Sequence, residues 1–140
     1  MRSVRGRILL ACLTGGYLWV LASLTLGPQP QTAGGVMAAL AAMFAAHPVT
    51  AWLTEPVLEF CANIVLFVPA GLLAAVWLPR HLGWLSVPAG LALSGVVELV
   101  QALFLPDRVA DVRDLVANTL GAAFGYVIFR IFGSRTRSRG

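Results

Sequence analysis

Residues Phe60–Leu78 have the sequence FCANIVLFVPAGLLAAVWL, a predominantly apolar run that contains no charged residue. An α-helix needs about 20 such residues to cross the hydrocarbon core of a bilayer, and this run meets that length. Strands of a membrane barrel would be about half as long and would alternate apolar with polar residues, which this run does not do. The stretch therefore predicts a transmembrane helix.

Three further apolar blocks of similar length are Ile8–Leu26, Trp84–Leu105 and Leu115–Phe132. The composition agrees, since 59% of the 140 residues are hydrophobic and 11% are charged, whereas soluble domains carry about 25% charged residues. We therefore predict an all-α fold, a polytopic bundle of four transmembrane helices that forms one domain over residues 1–140. A basic, disordered tail is expected at 133–140.

The net charge of +4 is carried by arginines at the ends of the apolar blocks, which favours membrane orientation over nucleic-acid binding. Four spans with a cytoplasmic N-terminus leave Arg108 and Arg113 outside and eight arginines inside, as the positive-inside tendency requires. We predict a multi-pass protein of the plasma (inner) membrane with both termini in the cytoplasm. The first block is longer than the apolar core of about 7–15 residues in a secretory signal, so it is expected to remain as an anchor.

The Ala-rich stretch Gly35–Leu53 is also long enough to cross, but a fifth span would place the arginine-rich tail outside. We therefore predict a short helix on the outer face between spans one and two, either on the membrane surface or packed over the mouth of the bundle. His47 is expected to be an interfacial polar residue. Cys12 and Cys61 are expected to lie too far apart to form a disulfide.

Few polar residues interrupt the spans, and the predicted topology brings those of three spans to the same depth near the outer face. A carboxylate inside a span costs about 2.5–3.5 kcal/mol on insertion scales, so such residues normally face the bundle interior or water and find a partner. Glu98 is the deepest of them. The candidate outer-face binding site contains Glu59, Asn63, Glu98, Gln101, Arg108, Asp111, Asp114 and Asn118. Glu55 and Asp107 are expected to be solvated loop residues.

Two interpretations of this cluster stay open. Its members could contact a ligand, with Arg108 as the cationic partner of Glu98, or they could join helices through hydrogen bonds of about 0.6–2 kcal/mol each. Glu98 could also be protonated and hydrogen-bond to Asn63 or Gln101. No His/Cys cluster, phosphate-binding Gly-rich loop or Ser–His–Asp set is evident, so we expect no metal and no cofactor.

Small residues and prolines predict how the helices pack. Gly121 and Gly125 form a G-x-x-x-G pair, which allows close helix packing either within the chain or in a homo-oligomer. Pro69 and Pro88 are expected to kink their spans.

Three segments of the chain, in this order, resemble the VanZ-like family. They are Asn63–Gly71 (NIVLFVPAG), then Ser94 with Glu98 and Gln101, then Arg108, Asp111, Asp114, Asn118, Gly121 and Gly125. The resemblance covers most of Glu59–Tyr126. It implies a small integral membrane protein whose founding relative is associated with low-level resistance to the glycopeptide teicoplanin.

We therefore hypothesise a non-enzymatic cell-envelope protein that lowers glycopeptide susceptibility. Its outer polar pocket would bind a lipid-linked head group, such as that of a cell-wall precursor, and membrane lipids would be its other partners. The alternatives are a membrane-embedded enzyme, with Glu98 or Asp114 as general base and Arg108 holding an anionic substrate, and a scaffold whose polar residues only join helices.

Overall fold

The computed structural model describes residues 3–27, 31–105 and 111–135, and within these ranges it contains five α-helices, one short 3₁₀ helix and no strand. The helices are α1 (Val4–Leu26), α2 (Gln31–Ala45), α3 (Glu55–Trp77), the 3₁₀ helix (Arg80–Leu85), α4 (Ser86–Phe104) and α5 (Val112–Arg135). Four of them are long and apolar enough to cross a membrane: α1, α3, α4 together with its preceding 3₁₀ helix, and α5. The predicted fold class, including the shorter apolar helix between the first two spans, is confirmed.

Helices α1, α3 and α5 begin before their apolar blocks, because capping residues rather than hydrophobicity fix where they start. The start of α3 is Glu55 rather than Phe60, with Thr54 at the N-cap position and Pro in the first turn. A carboxylate and a proline both suit a helix N-terminus. The prediction of Glu55 as a loop residue is therefore wrong. The first three residues of the predicted tail are also helical, since α5 ends only at Arg135; residues 136–140 lie outside the described ranges.

The shorter helix α2 ends at Ala45, well before Leu53, and a series of turns that includes Pro48 follows it. Its only substantial contacts within the described part of the chain are with α3. Exposed Val36 and Met43 show that much of its apolar surface is uncovered. His47 is exposed in the turn after α2. The position of α2 at the outer face, either on the membrane surface or over the mouth of the bundle, stays a prediction.

The two prolines differ in their setting. Pro69 lies inside α3, whereas Pro88 falls in the first turn of α4. The 3₁₀ helix leads directly into α4, so Pro88 lies close to the junction of the two. The kinks at Pro69 and Pro88 stay predictions. Cys12 and Cys61 are free, as predicted.

Helices α3 and α5 form the centre of the bundle and run parallel at very close range. A Cβ atom added to Gly121 would collide with the carbonyl oxygen of Ile64, and one added to Gly125 would collide with that of Val68. The G-x-x-x-G pair is thus packed against α3 of the same chain. A homo-oligomer through these glycines stays a prediction.

Side-chain contacts fix the helix directions, because they join the C-terminal parts of α1 and α4 to the N-terminal parts of α3 and α5. We call this end of the bundle the acidic end. Its described charged residues are Glu55, Glu59, Glu98, Asp111, Arg113 and Asp114. We call the opposite end, where α1 and α4 begin and α3 and α5 finish, the basic end. Its described charged residues whose side chains are placed are Arg5, Arg7, Arg80 and Arg130.

Candidate functional site

The hydrogen bond between Asn63 and Asp114 joins α3 to α5 at the acidic end. The Asn63 amide nitrogen Nδ2 donates to the Asp114 carboxylate oxygen Oδ1 across 2.7 Å. Both helices present these residues within their N-terminal halves, so the parallel packing of α3 and α5 brings them to one level. Two predicted site residues from different spans are thus in direct contact.

Glu98 joins α4 to the start of α5. Its side chain is buried, with 7% of the residue exposed, and its oxygen Oε2 accepts the backbone N–H of Asp111 across 3.2 Å. Asp111 immediately precedes α5 and acts as its N-cap, because its Oδ1 accepts the N–H of Arg113 at 2.8 Å. The carboxylates of Glu98 and Asp111 therefore both lie at the positive end of the α5 dipole.

Gln101 and Asn118 extend the polar contacts to α1 and deeper between α4 and α5. The Gln101 side chain donates to the carbonyl oxygen of Thr25 on α1 at 2.9 Å. The Asn118 Nδ2 group donates to Ser94 Oγ at 2.8 Å. The other Asn118 amide atom, Oδ1, is buried and has no hydrogen-bond partner among the described residues. A buried acceptor without a partner is costly unless water or a ligand satisfies it.

Glu59 differs from the other members of the site because it is exposed and lies at the rim. It is within electrostatic range of Asp111, Arg113 and Asp114. Of the eight predicted site residues, the structure therefore brings seven to the acidic end. The eighth, Arg108, and its neighbour Asp107 lie outside the described residues. That any of the seven binds a ligand stays a prediction.

The charges of this cluster limit the chemistry that it can perform. The described residues supply several carboxylates and amides but one arginine, Arg113. The α5 N-terminus, which could otherwise attract an anion, is already occupied by Glu98 and Asp111. Such a surface suits groups that donate hydrogen bonds, including hydroxyl, amide and ammonium groups. No group of three or more potential metal ligands is found within the described ranges.

Sequence reasoning missed several contacts at and below the site. Ser94, fully buried, lies one helical turn from Glu98, and that spacing was the available signal for its position on the same face. The partners Thr25 and Leu66 act through backbone carbonyl groups, which carry no sequence signal. Tyr17 donates its hydroxyl to the Leu66 carbonyl oxygen at 3.0 Å and holds α1 against α3.

A comparison with protein families agrees with the resemblance found in the sequence. The family model described as VanZ/LLP1 matches residues 15–133, a range that includes every residue of the site. No curated protein matches the chain. No solved structure matches it either.

Proposed function

The chain belongs to the VanZ/LLP1 family, and from this premise we propose that it is a cell-envelope protein that binds the head group of a lipid-linked cell-wall precursor. The proposed site is the cluster at the acidic end, and the acidic end is the outer face of the plasma membrane. Binding there would alter access of a glycopeptide to its lipid-anchored target, in keeping with the teicoplanin association that family resemblance implies.

One observation carries this proposal: polar side chains from α3, α4 and α5 meet at the end of the bundle where lipid head groups lie. Burying a carboxylate such as Glu98 among apolar helices is expensive and is typical of functional positions in membrane proteins. The exposed carboxylate of Glu59 leaves the rim open to a ligand. The sugar hydroxyl, amide and ammonium groups of a wall precursor are the donors that such a surface accommodates.

A structural scaffold is the second candidate, and a specific observation favours it. Asn63, Glu98 and Gln101 each make a hydrogen bond to another helix or to the residue that caps it. A scaffold needs nothing more than these bonds. The two candidates therefore differ at Glu59, which makes no hydrogen bond to another helix among the described residues.

Direct binding tests the proposal at that residue. The purified protein in detergent micelles is titrated with a lipid-linked wall precursor, alongside Glu59→Gln and the matched control Glu55→Gln, which removes the same charge one turn earlier on α3. We expect Glu59→Gln to weaken binding several-fold with an unchanged melting temperature, and Glu55→Gln to bind as the wild type does. Absence of measurable binding by the wild-type protein would contradict the proposal.

A cellular assay separates the proposed function from the alternatives. A teicoplanin-sensitive host expresses the wild type, Glu59→Gln or Glu98→Gln at matched membrane levels. We expect only the wild type to raise the inhibitory concentration. A scaffold predicts that Glu98→Gln needs stronger expression than the wild type to reach the matched level and that Glu59→Gln behaves as the wild type does. An enzyme predicts an altered lipid or wall-precursor profile in the expressing strain.

A further inference from the structure

An apolar groove lies between α1, α3 and α4, in the half of the bundle nearest the basic end. It has a volume of about 250 Å³. Small residues on α3 and α4 form part of its lining, and larger side chains form the rest. The residues that define it are Thr14, Tyr17, Ala74, Trp77, Ala89 and Leu93. Trp77 is the last residue of α3 and Ala89 lies near the start of α4, so the groove begins close to the basic end.

The groove exists because α1 is held to the bundle at separate points. Tyr17 bonds to the carbonyl oxygen of Leu66, and Thr14 Oγ1 accepts the indole N–H of Trp77 at 2.9 Å. Between these contacts the lining of α3 and α4 contains Leu73 and Leu93, but four of its residues are small and leave part of the space unfilled: Ala70, Ala74, Ala89 and Gly90. The groove lies between helices that are long and apolar enough to cross a membrane. The medium that borders such helices is lipid hydrocarbon. The lining of the groove is mostly apolar and is therefore compatible with a hydrocarbon chain.

The size of the groove favours part of one chain as its occupant. Pockets that enclose a whole drug-sized ligand measure about 300–1,000 Å³, so this groove is too small to enclose a bulky head group or a complete lipid. Exposed Trp77 and Trp84 lie at the same end of the bundle. Tryptophan is enriched at the head-group level of membranes, which puts the mouth of the groove at that level.

The charge at the mouth favours an anionic head group. Arg7 precedes Thr14 by two helical turns, and therefore lies on the same side of α1, roughly 10 Å nearer the basic end. It is exposed. Among the described residues, no carboxylate lies at the basic end to neutralise it. A basic residue at this level attracts an anionic lipid.

We propose that this groove is a binding site for an anionic phospholipid of the leaflet at the basic end, with part of one acyl chain in the groove and the phosphate beside Arg7. The site is distinct from the cluster at the acidic end and does not rest on the function proposed for it. An anionic lipid bound there joins α1 to α3 and α4, which otherwise contact α1 sparsely.

Counting bound lipids by native mass spectrometry tests the proposal. Delipidated full-length protein in detergent is mixed with phosphatidylglycerol or with phosphatidylcholine of identical acyl chains. Arg7→Gln is compared with Arg5→Gln, which removes the same charge about 200° around α1. Ala74→Leu and Ala89→Leu fill the groove from different helices, so that one remains informative if the other does not fold. Ala102→Leu, at an exposed position outside the groove, is their control.

We expect the wild type to retain one phosphatidylglycerol in preference to phosphatidylcholine. Arg7→Gln should weaken phosphatidylglycerol binding roughly fivefold, the weight of one basic residue at an anionic surface, while Arg5→Gln binds normally. The filling variants should lose the bound lipid and Ala102→Leu should keep it. Equal retention of the two lipids, equal effects of the two arginine variants, or wild-type binding by a folded filling variant would each overturn the proposal.

Discussion

Amide side chains at the acidic end each donate one hydrogen bond across a helix boundary. The acceptors differ, being a carboxylate for Asn63, a backbone carbonyl for Gln101 and a hydroxyl for Asn118. An amide has donor and acceptor atoms in one rigid plane, so a contact that fixes its nitrogen also fixes where its oxygen points. The interhelical contacts therefore also orient the remaining polar atoms of the candidate site.

The contact between Asn63 and Asp114 should be measurable as a coupling energy. A double-mutant cycle with Asn63→Ala and Asp114→Ala, followed by thermal unfolding in detergent, is expected to give about 0.6–1.7 kcal/mol, the range found for hydrogen bonds in membrane proteins. A cycle that pairs Asn63→Ala with Glu55→Ala is the control, because these residues lie roughly 12 Å apart along α3 and should act additively. Coupling of the same size in both cycles would contradict the contact.

At this scale the sequence predicted which residues lie together and not what they bond. The spacing of Asn63, Glu98 and Asp114 from the span ends was sufficient to predict a common depth. Their partners could not be predicted, because rotation of each helix about its axis decides which side chains meet. Hydropathy does not determine that rotation where a helix is apolar on all sides. The use of Glu98 to cap the next helix is a result of that rotation.

Packing between elements is tightest between α3 and α5 and loosest around α1. The backbones of α3 and α5 lie close together because glycines occupy the contact, and Gly71 of α3 faces the backbone of Ala122 on α5. α4 joins them where Gly90 meets the Ala122 side chain. In contrast, only Leu10 and Leu21 of α1 are buried. The three helices that carry the candidate site thus form a closely packed unit, and α1 lies at its periphery.

Glycine-to-alanine substitutions should reveal this difference between the helices. Gly125→Ala introduces a Cβ that meets the α3 backbone, and overpacking of this kind costs about 1–3 kcal/mol. Gly16→Ala on α1 introduces a Cβ with no atom within 4 Å, so it should be neutral or slightly stabilising. Melting temperatures of the purified variants in one detergent provide the measurement. A Gly125→Ala protein as stable as Gly16→Ala would contradict the close packing.

The existence and number of the long helices could be predicted because each apolar block is long enough to span hydrocarbon. Their bounds could not, as α3 shows: Glu55 and Pro56 belong to the helix through capping preferences that hydropathy does not register. The glycine pair on α5 predicted close packing. The helix that packs against this pair could not be predicted, because a glycine face accepts a helix of the same chain and one of a second chain equally well.

Over the whole molecule, charge is separated along the long axis. The chain has 6 acidic residues, and the five that the structure describes all lie at the acidic end. The described arginines, with the exception of Arg113, lie at the basic end. This separation of acidic from basic residues requires that consecutive spans run in opposite directions. The contacts between the helices show that they do.

Cysteine labelling should establish which end faces the cytoplasm. In a Cys12→Ser and Cys61→Ser background, Ser3→Cys reports on the basic end and Thr54→Cys on the acidic end. We expect a membrane-impermeant maleimide to label Thr54→Cys in intact spheroplasts and Ser3→Cys only after permeabilisation, because arginine-rich ends stay inside. The opposite pattern would show that the chain is inserted with the acidic end in the cytoplasm and would remove the proposed outer-face site.

The separation of carboxylates from arginines also gives the folded chain an electric dipole, and a membrane potential favours one orientation of that dipole. Carrying one elementary charge across a potential of 100 mV changes its energy by about 2.3 kcal/mol. In a cell whose interior is negative, the proposed orientation has its carboxylates at the positive side and most of its arginines at the negative side. Both sets of charges oppose inversion. An energised membrane would thus stabilise the same orientation that the arginine distribution favours.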